Sequence, residues 1–149
     1  MKYFTINELT RSATAKRLGI DNSPTKVIRE NLEALGTHIL DPLREAWGAP
    51  IIVTSGYRCQ RLNKAVGGAS NSQHLYGQAA DIRTVSDSRE DNLALLRCVL
   101  SSGLPFDKLI SEFVDVKGRP DWIHISYSPQ ERGIKLTCKG GLYFNGIKV

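Results

Sequence analysis

Cysteine, membrane-length apolar runs and concentrated charge are what this chain of 149 residues has least of. The three cysteines, Cys59, Cys98 and Cys138, form no CxxC pair and are odd in number. That argues against both a disulfide framework and a cysteine zinc site, and predicts three reduced thiols. The longest apolar stretches, such as LALLRCVL at 93–100, are interrupted by charge and fall short of the roughly 20 residues a membrane span requires. The N-terminal stretch MKYFTINELTRSATAKRLG has no continuous apolar core and does not read as a secretory signal. The protein is therefore expected to be cytoplasmic as synthesised, or to leave the cell by a route the sequence does not encode. The formal charge is +5 and the isoelectric point about 9.2, but no segment concentrates the positive residues. A mildly cationic surface suits a polyanion such as a cell wall, and the scatter of Lys and Arg among acids argues against nucleic acid.

What remains is the composition of an ordinary globular domain, 41% hydrophobic and 23% charged, long enough to bury a core without staples. One domain over 1–149 is expected, without internal repeats. Residues 5–18 read as a helix, with Thr5 and Glu8 at capping-box spacing and Gly19 as its stop. Residues 22–47 carry the strongest helical signal: Val27, Ile28, Leu32, Leu35, Ile39, Leu43 and Trp47 recur at three- and four-residue steps. Asn22 or Ser23 is the expected cap, and Pro42 should kink or restart the helix. His38 reads as an ordinary helix residue. IIVTSGYR reads as a buried strand delivering Tyr57 and Arg58 to its end, CQRLNKAVGG as a short helix, GASNSQ as a loop and GQAADIRT as a second strand. SDSREDNLALLRCVLSSG reads as a helix capped by Ser86 or Asp87 and stopped at Gly103. The remainder has the short β-rich segments of a meander. Helices crowd the first half and strands the second, an α+β pattern.

Two of the three histidines lie in segments that read as ordered, with acids nearby. His74 stands seven positions before Asp81, and DWIHIS puts Asp121 three before His124. An acid at the end of an apolar strand needs a partner: an arginine, backbone donors, or a metal shared with His74. A catalytic zinc commonly takes three N and O ligands and keeps a fourth position open, and His74, Asp81 and His124 make such a set. Asp121 then reads either as a proton acceptor beside the metal or as a turn residue after Pro120. Arg58 could stabilise an oxyanion or pair with an acid, Asp81 included. Glu112, in LISEF, could fix a ligand histidine from behind.

Together TSGYR, NKAVGGASNSQHLYGQAADI and DWIHIS resemble the signature of the M15 family of zinc peptidases, the D-alanyl-D-alanine carboxypeptidase-like proteins, and most nearly its small bacterial and phage members. The family pattern S-x-H-x(6)-D followed by D/E-x-x-H falls on Ser72, His74, Asp81, Asp121 and His124. The resemblance implies that His74, Asp81 and His124 bind one Zn²⁺, that Asp121 is the general base, and that Arg58 steadies the scissile carbonyl. Ser72 and Gln73 could bind substrate or satisfy loop backbone. The small residues Gly77, Ala79 and Ala80 would let the chain approach the metal. The implied fold is a Hedgehog/D,D-peptidase-like α+β domain of M15 type, with N-terminal helices packed on a small central antiparallel sheet that carries the metal. The implied activity is hydrolysis of peptidoglycan stem peptides by a monomer, as a D,D-carboxypeptidase or as an L-alanyl-D-glutamate endopeptidase of phage-lysin type. A non-catalytic module that binds cell-wall peptides on the same zinc scaffold is the alternative from another class.

Overall fold

The computed structural model describes all 149 residues. It is an α+β fold with a six-stranded sheet in the order β1-β2-β4-β3-β5-β6. The strands are β1 Ile51–Ser55, β2 Ala79–Thr84, β3 Lys108–Glu112, β4 Trp122–Ser126, β5 Ile134–Lys139 and β6 Leu142–Asn145. The sheet is mixed, not antiparallel as expected: β5 runs parallel to β3, and the other four pairings are antiparallel. The connectivity explains this. β2 already occupies the far side of β4, and β5 pairs with the free edge of β3. Leaving β4 beside the start of β3, the chain enters that edge running the same way.

The first expected helix is two, α1 Ile6–Thr10 and α2 Ala13–Leu18. Ser12 breaks the run because its hydroxyl accepts from the Ala15 N–H and starts a new helix, and Gly19 stops it in the left-handed conformation at φ +66°. The cap of α3, Lys26–Leu35, is Thr25, whose hydroxyl accepts from the Ile28 N–H. Asn22 is instead drawn into tertiary contacts, donating to the carbonyls of Thr10 and Tyr57 and accepting from the Cys59 N–H. Between α3 and α4, Asp41–Trp47, residues Gly36–Leu40 form a wide π turn. Pro42 accounts for it: without an N–H, and with a ring that would strike the carbonyl four residues back, it forces the helix to widen before restarting. His38 lies exposed in this turn and stacks on Tyr127 with ring centroids 4.5 Å apart. Val27, placed on the apolar stripe by its spacing, is 63% exposed. The short helix α5 is Gln60–Ala65, and α6 spans Arg89–Ser101. Ser88 caps α6, not Ser86 or Asp87, because the chain turns through Asp87 at φ +56° first.

Leu32, Leu35, Ile39, Leu40 and Leu43 form one core with Leu95, Leu96 and Val99 of α6 and with Ile82, Leu109, Ile123 and Ile125 of the sheet. Strand alternation then decides where the polar residues go. With Ala80, Ile82, Ile123 and Ile125 facing the helices, Asp81 and His124 must face the other way.

Candidate metal centre

The register of β2 on β4 sets Asp81 directly across from His124, and β4 on β3 sets His124 across from Ile110. Asp81 and His124 are thus neighbours by strand pairing alone. His74 comes from a 3₁₀ turn, Gln73–Tyr76, in the segment read as a loop before β2. Its Nε2 lies 3.3 Å from Asp81 Oδ1, and His124 Nδ1 lies 3.2 Å from the same oxygen. The two rings meet edge to face, with centroids 5.1 Å apart. One donor atom from each of the three residues falls within 4.8 Å of the others.

The His74 ring is oriented by its other nitrogen. Nδ1 sits 2.7 Å from the carbonyl oxygen of Gly56, and since a carbonyl only accepts, Nδ1 carries the proton. A neutral His74 therefore turns a bare Nε2 toward a carboxylate oxygen. Two acceptors face to face repel, and a cation shared between them relieves the repulsion, so the donor set fits a metal. Burial by itself would raise the Asp81 pKa; positive charge on the two histidines outweighs it and holds the carboxyl well below the usual range, a charge that a shared cation supplies when the histidines are neutral. No arginine or backbone donor bonds the Asp81 carboxylate; its neighbours are the two histidines.

Gly56 can play this part because it has no side chain: a Cβ there would lie 2.1 Å from the Leu9 carbonyl oxygen. The next residue, Tyr57, donates its N–H to that same oxygen at 2.8 Å, and the Arg58 N–H donates to the His74 carbonyl at 3.0 Å. The segment TSGYR is thereby stitched to α1 on one side and to the histidine turn on the other. A bulge between Val53 and Ser55 bends β1 at this point. Gly77 serves a purpose other than the expected one. It is left-handed at φ +68°, and a Cβ would crowd Ile28 of α3 at 3.0 Å, so its small size serves helix packing and not approach to the metal. Ala79 and Ala80 are fully buried in β2.

The three donors open on a cavity of about 590 Å³, which Arg58, Ser72, Gln73 and Glu112 also line. Arg58 forms no ion pair and leaves its Nε buried without a partner. Burial pushes its pKa down, and the charge of Asp81 partly restores it. Ser72 turns its hydroxyl to the His74 N–H, and Gln73 donates through Nε2 to Asp107 at 3.0 Å, leaving Oε1 buried and unpartnered. Asp107, which the sequence did not single out, is fully buried and held by Arg132 Nη2 at 2.7 Å and Nε at 3.0 and 3.2 Å. The Arg132 hydrogen bonds hold its carboxyl well below the usual range. Nothing in the local sequence SGLPFDK marks it, because its partners are 25 and 34 residues away.

Glu112 lines the cavity but bonds neither histidine; its Oε2 is buried without a partner, and burial raises its pKa. The carbonyl of Gly56, not a carboxylate, orients His74. Asp121 is exposed and outside the cavity lining; its backbone N–H donates to the Glu112 carbonyl and its carbonyl accepts from Asn92.

Two histidines and an aspartate presented on an open cavity of an α+β fold offer the N and O donors that one metal ion could take. Residues 2–126 match the model of the family described as Peptidase M15, and the chain belongs to that family. It is also 52% identical over 44 residues to the zinc D-Ala-D-Ala carboxypeptidase of Streptomyces albus G, a stretch covering 29% of this chain and 17% of that protein. Zinc is accordingly the metal indicated for the site. No helix of the structure is long and apolar enough to cross a membrane.

Proposed function

We propose that this protein is a zinc peptidase that hydrolyses peptide bonds in peptidoglycan stem peptides, as a D-Ala-D-Ala carboxypeptidase. The observation that most supports this reading is the set of three donors, His74, Asp81 and His124, sharing one open cavity with an unpaired arginine. A structural zinc site would be closed by a fourth protein ligand. When bound, zinc supplies Lewis acidity and lowers the pKa of the attacking water toward neutrality.

The protein's own residues do the positioning. His74 is fixed as the Nδ1–H tautomer by Gly56, leaving Nε2 free to ligate. Arg58, held by its backbone against the His74 turn, stabilises the oxyanion that develops as the carbonyl is attacked; removing one such preorganised donor costs roughly 3–4 kcal/mol. Ser72 and Gln73 form one wall, and what Gln73 offers a substrate N–H is the unpartnered Oε1. One domain over residues 1–149, acting as a monomer, carries the activity.

One observation favours a second reading, cleavage within the stem peptide between L-Ala and D-Glu. A neighbouring cleft lined by Arg11, Ser12, Lys16 and Ser55 shares Arg58 and Val66 with the metal cavity, extending the space open to a longer substrate. It has no acid in its lining and suits the carboxylates of a stem peptide. Mass spectrometry of defined muropeptides after incubation with zinc-loaded protein tests both readings. Release of terminal D-alanine identifies the carboxypeptidase, and a cut after L-alanine the endopeptidase. Intact peptides with zinc bound would overturn both.

A further inference from the structure

Glu112 is the residue of the cavity whose burial the ligand set leaves unexplained. It ends β3, is 6% exposed, and has no hydrogen bond to Oε2 and no ion pair. Leaving a buried carboxylate oxygen unmatched costs on the order of 1–3 kcal/mol or more, so a place for it in the chemistry is the natural compensation. The register fixes where it points. His124 pairs with Ile110, so Glu112, two residues further along β3, is on the same face and diagonal to His124. Diagonal positions are roughly 7–8 Å apart, within reach of a long side chain. The flanking positions in its row are apolar or aromatic: Trp122 opposite it on β4, with Cys138 and its partner Tyr143 on the other side. No lysine or arginine stands in that row, and the cations that line the cavity, Arg58 and Lys108, form no ion pair with it. The backbone is also strained beside it. Phe113 adopts φ +48°, a left-handed conformation rare for an aromatic residue, and its carbonyl is gripped by Arg89 Nη1 at 2.9 Å. Strand pairing is thus broken off just after Glu112, and Asp121, three residues before His124, is carried out to solvent.

We infer that Glu112, and not Asp121, is the general base and acid of the hydrolysis, an inference that rests on the peptidase reading above. As the water oxygen bonds to the scissile carbonyl carbon, one water proton passes to Glu112. The carbon–nitrogen bond then breaks with its electron pair going to nitrogen, and Glu112 returns that proton to the leaving amine. The products are the acid and the amine, and the Glu112 carboxylate is regenerated.

The test compares Glu112→Gln with Asp121→Asn in the zinc-loaded protein. Glu112→Gln is expected to keep full zinc by elemental analysis, to leave KM nearly unchanged and to lose about 10²- to 10⁴-fold in kcat, the range of a general acid–base group. Asp121→Asn should retain most of its activity. A second readout needs no turnover: calorimetric binding of a small peptide hydroxamic acid in buffers of different ionisation heat counts protons released. The wild-type protein should keep the hydroxamate proton on Glu112, and Glu112→Gln should release about one more proton to the buffer. An unchanged proton count, an active Glu112→Gln, or loss of zinc from that variant would each overturn the assignment. If wild-type protein cleaves no stem peptide, the peptidase reading fails, and the proton count still decides whether Glu112 is the base.

Discussion

A carboxylate set between two imidazoles is stable only when something compensates its burial, and Asp81 has no arginine or backbone donor to do so. Its charge is expected to be matched by the metal, so Asp81→Asn and His124→Ala should each purify with zinc well below one ion per chain by elemental analysis. Asp107 presents the opposite case, a buried acid fully matched by Arg132. Its pKa in the fold lies below its unfolded value. Its contribution to stability is therefore complete above about pH 4 and lost as the pH falls through the folded value. Urea denaturation should find Asp107→Asn less stable than wild type by roughly 1–3 kcal/mol at pH 7, with the gap narrowing below about pH 4. Because Asp107 also holds Gln73, the same variant should raise KM more than it lowers kcat.

At the scale of elements, the segment between β1 and α5 holds the site together. The Gly56 carbonyl orients His74, and its Cα hydrogen is all that fits against Leu9. Gly56→Ala should cost about 1–3 kcal/mol through overpacking and, by shifting the carbonyl that fixes His74, weaken zinc about 10- to 100-fold. Thermal unfolding and competitive chelation measure the two effects separately. The helix boundaries show what local sequence can and cannot choose between. Asn22, Ser23 and Thr25 are all competent caps by type, but tertiary hydrogen bonds take Asn22 away and leave the hydroxyl of Thr25 on the helix. Likewise Ser86, Asp87 and Ser88 all qualify before α6, and the turn through Asp87 selects the last.

For the whole molecule, a metal held by His74, Asp81 and His124 would join a loop to two strands that are 43 residues apart in sequence at Asp81 and His124. A ligand that binds only the folded state stabilises it by mass action, about 4 kcal/mol when free zinc exceeds its Kd 1,000-fold. For a chain of this length that corresponds to a rise in Tm of roughly 10 °C. Differential scanning calorimetry with zinc and after EDTA treatment should show that difference, and His124→Ala should abolish it. The connectivity acts at the same scale: with β2 beside β4, β5 pairs parallel with the other edge of β3 and makes the sheet mixed.

By itself the sequence determined the α+β pattern, through helical spacing in the first half and β-branched runs in the second. Alternation with Ala80, Ile82, Ile123 and Ile125 also leaves Asp81 and His124 on the strand faces turned away from the core. Spacing within a strand is local, so it survives in the sequence. The Gly56 carbonyl on His74, the Arg132 clamp on Asp107 and the placing of Glu112 inside the cavity with Asp121 outside were decided by the tertiary structure. Each depends on which strand edge meets which loop, and that is fixed by long-range pairing that no short window of residues contains.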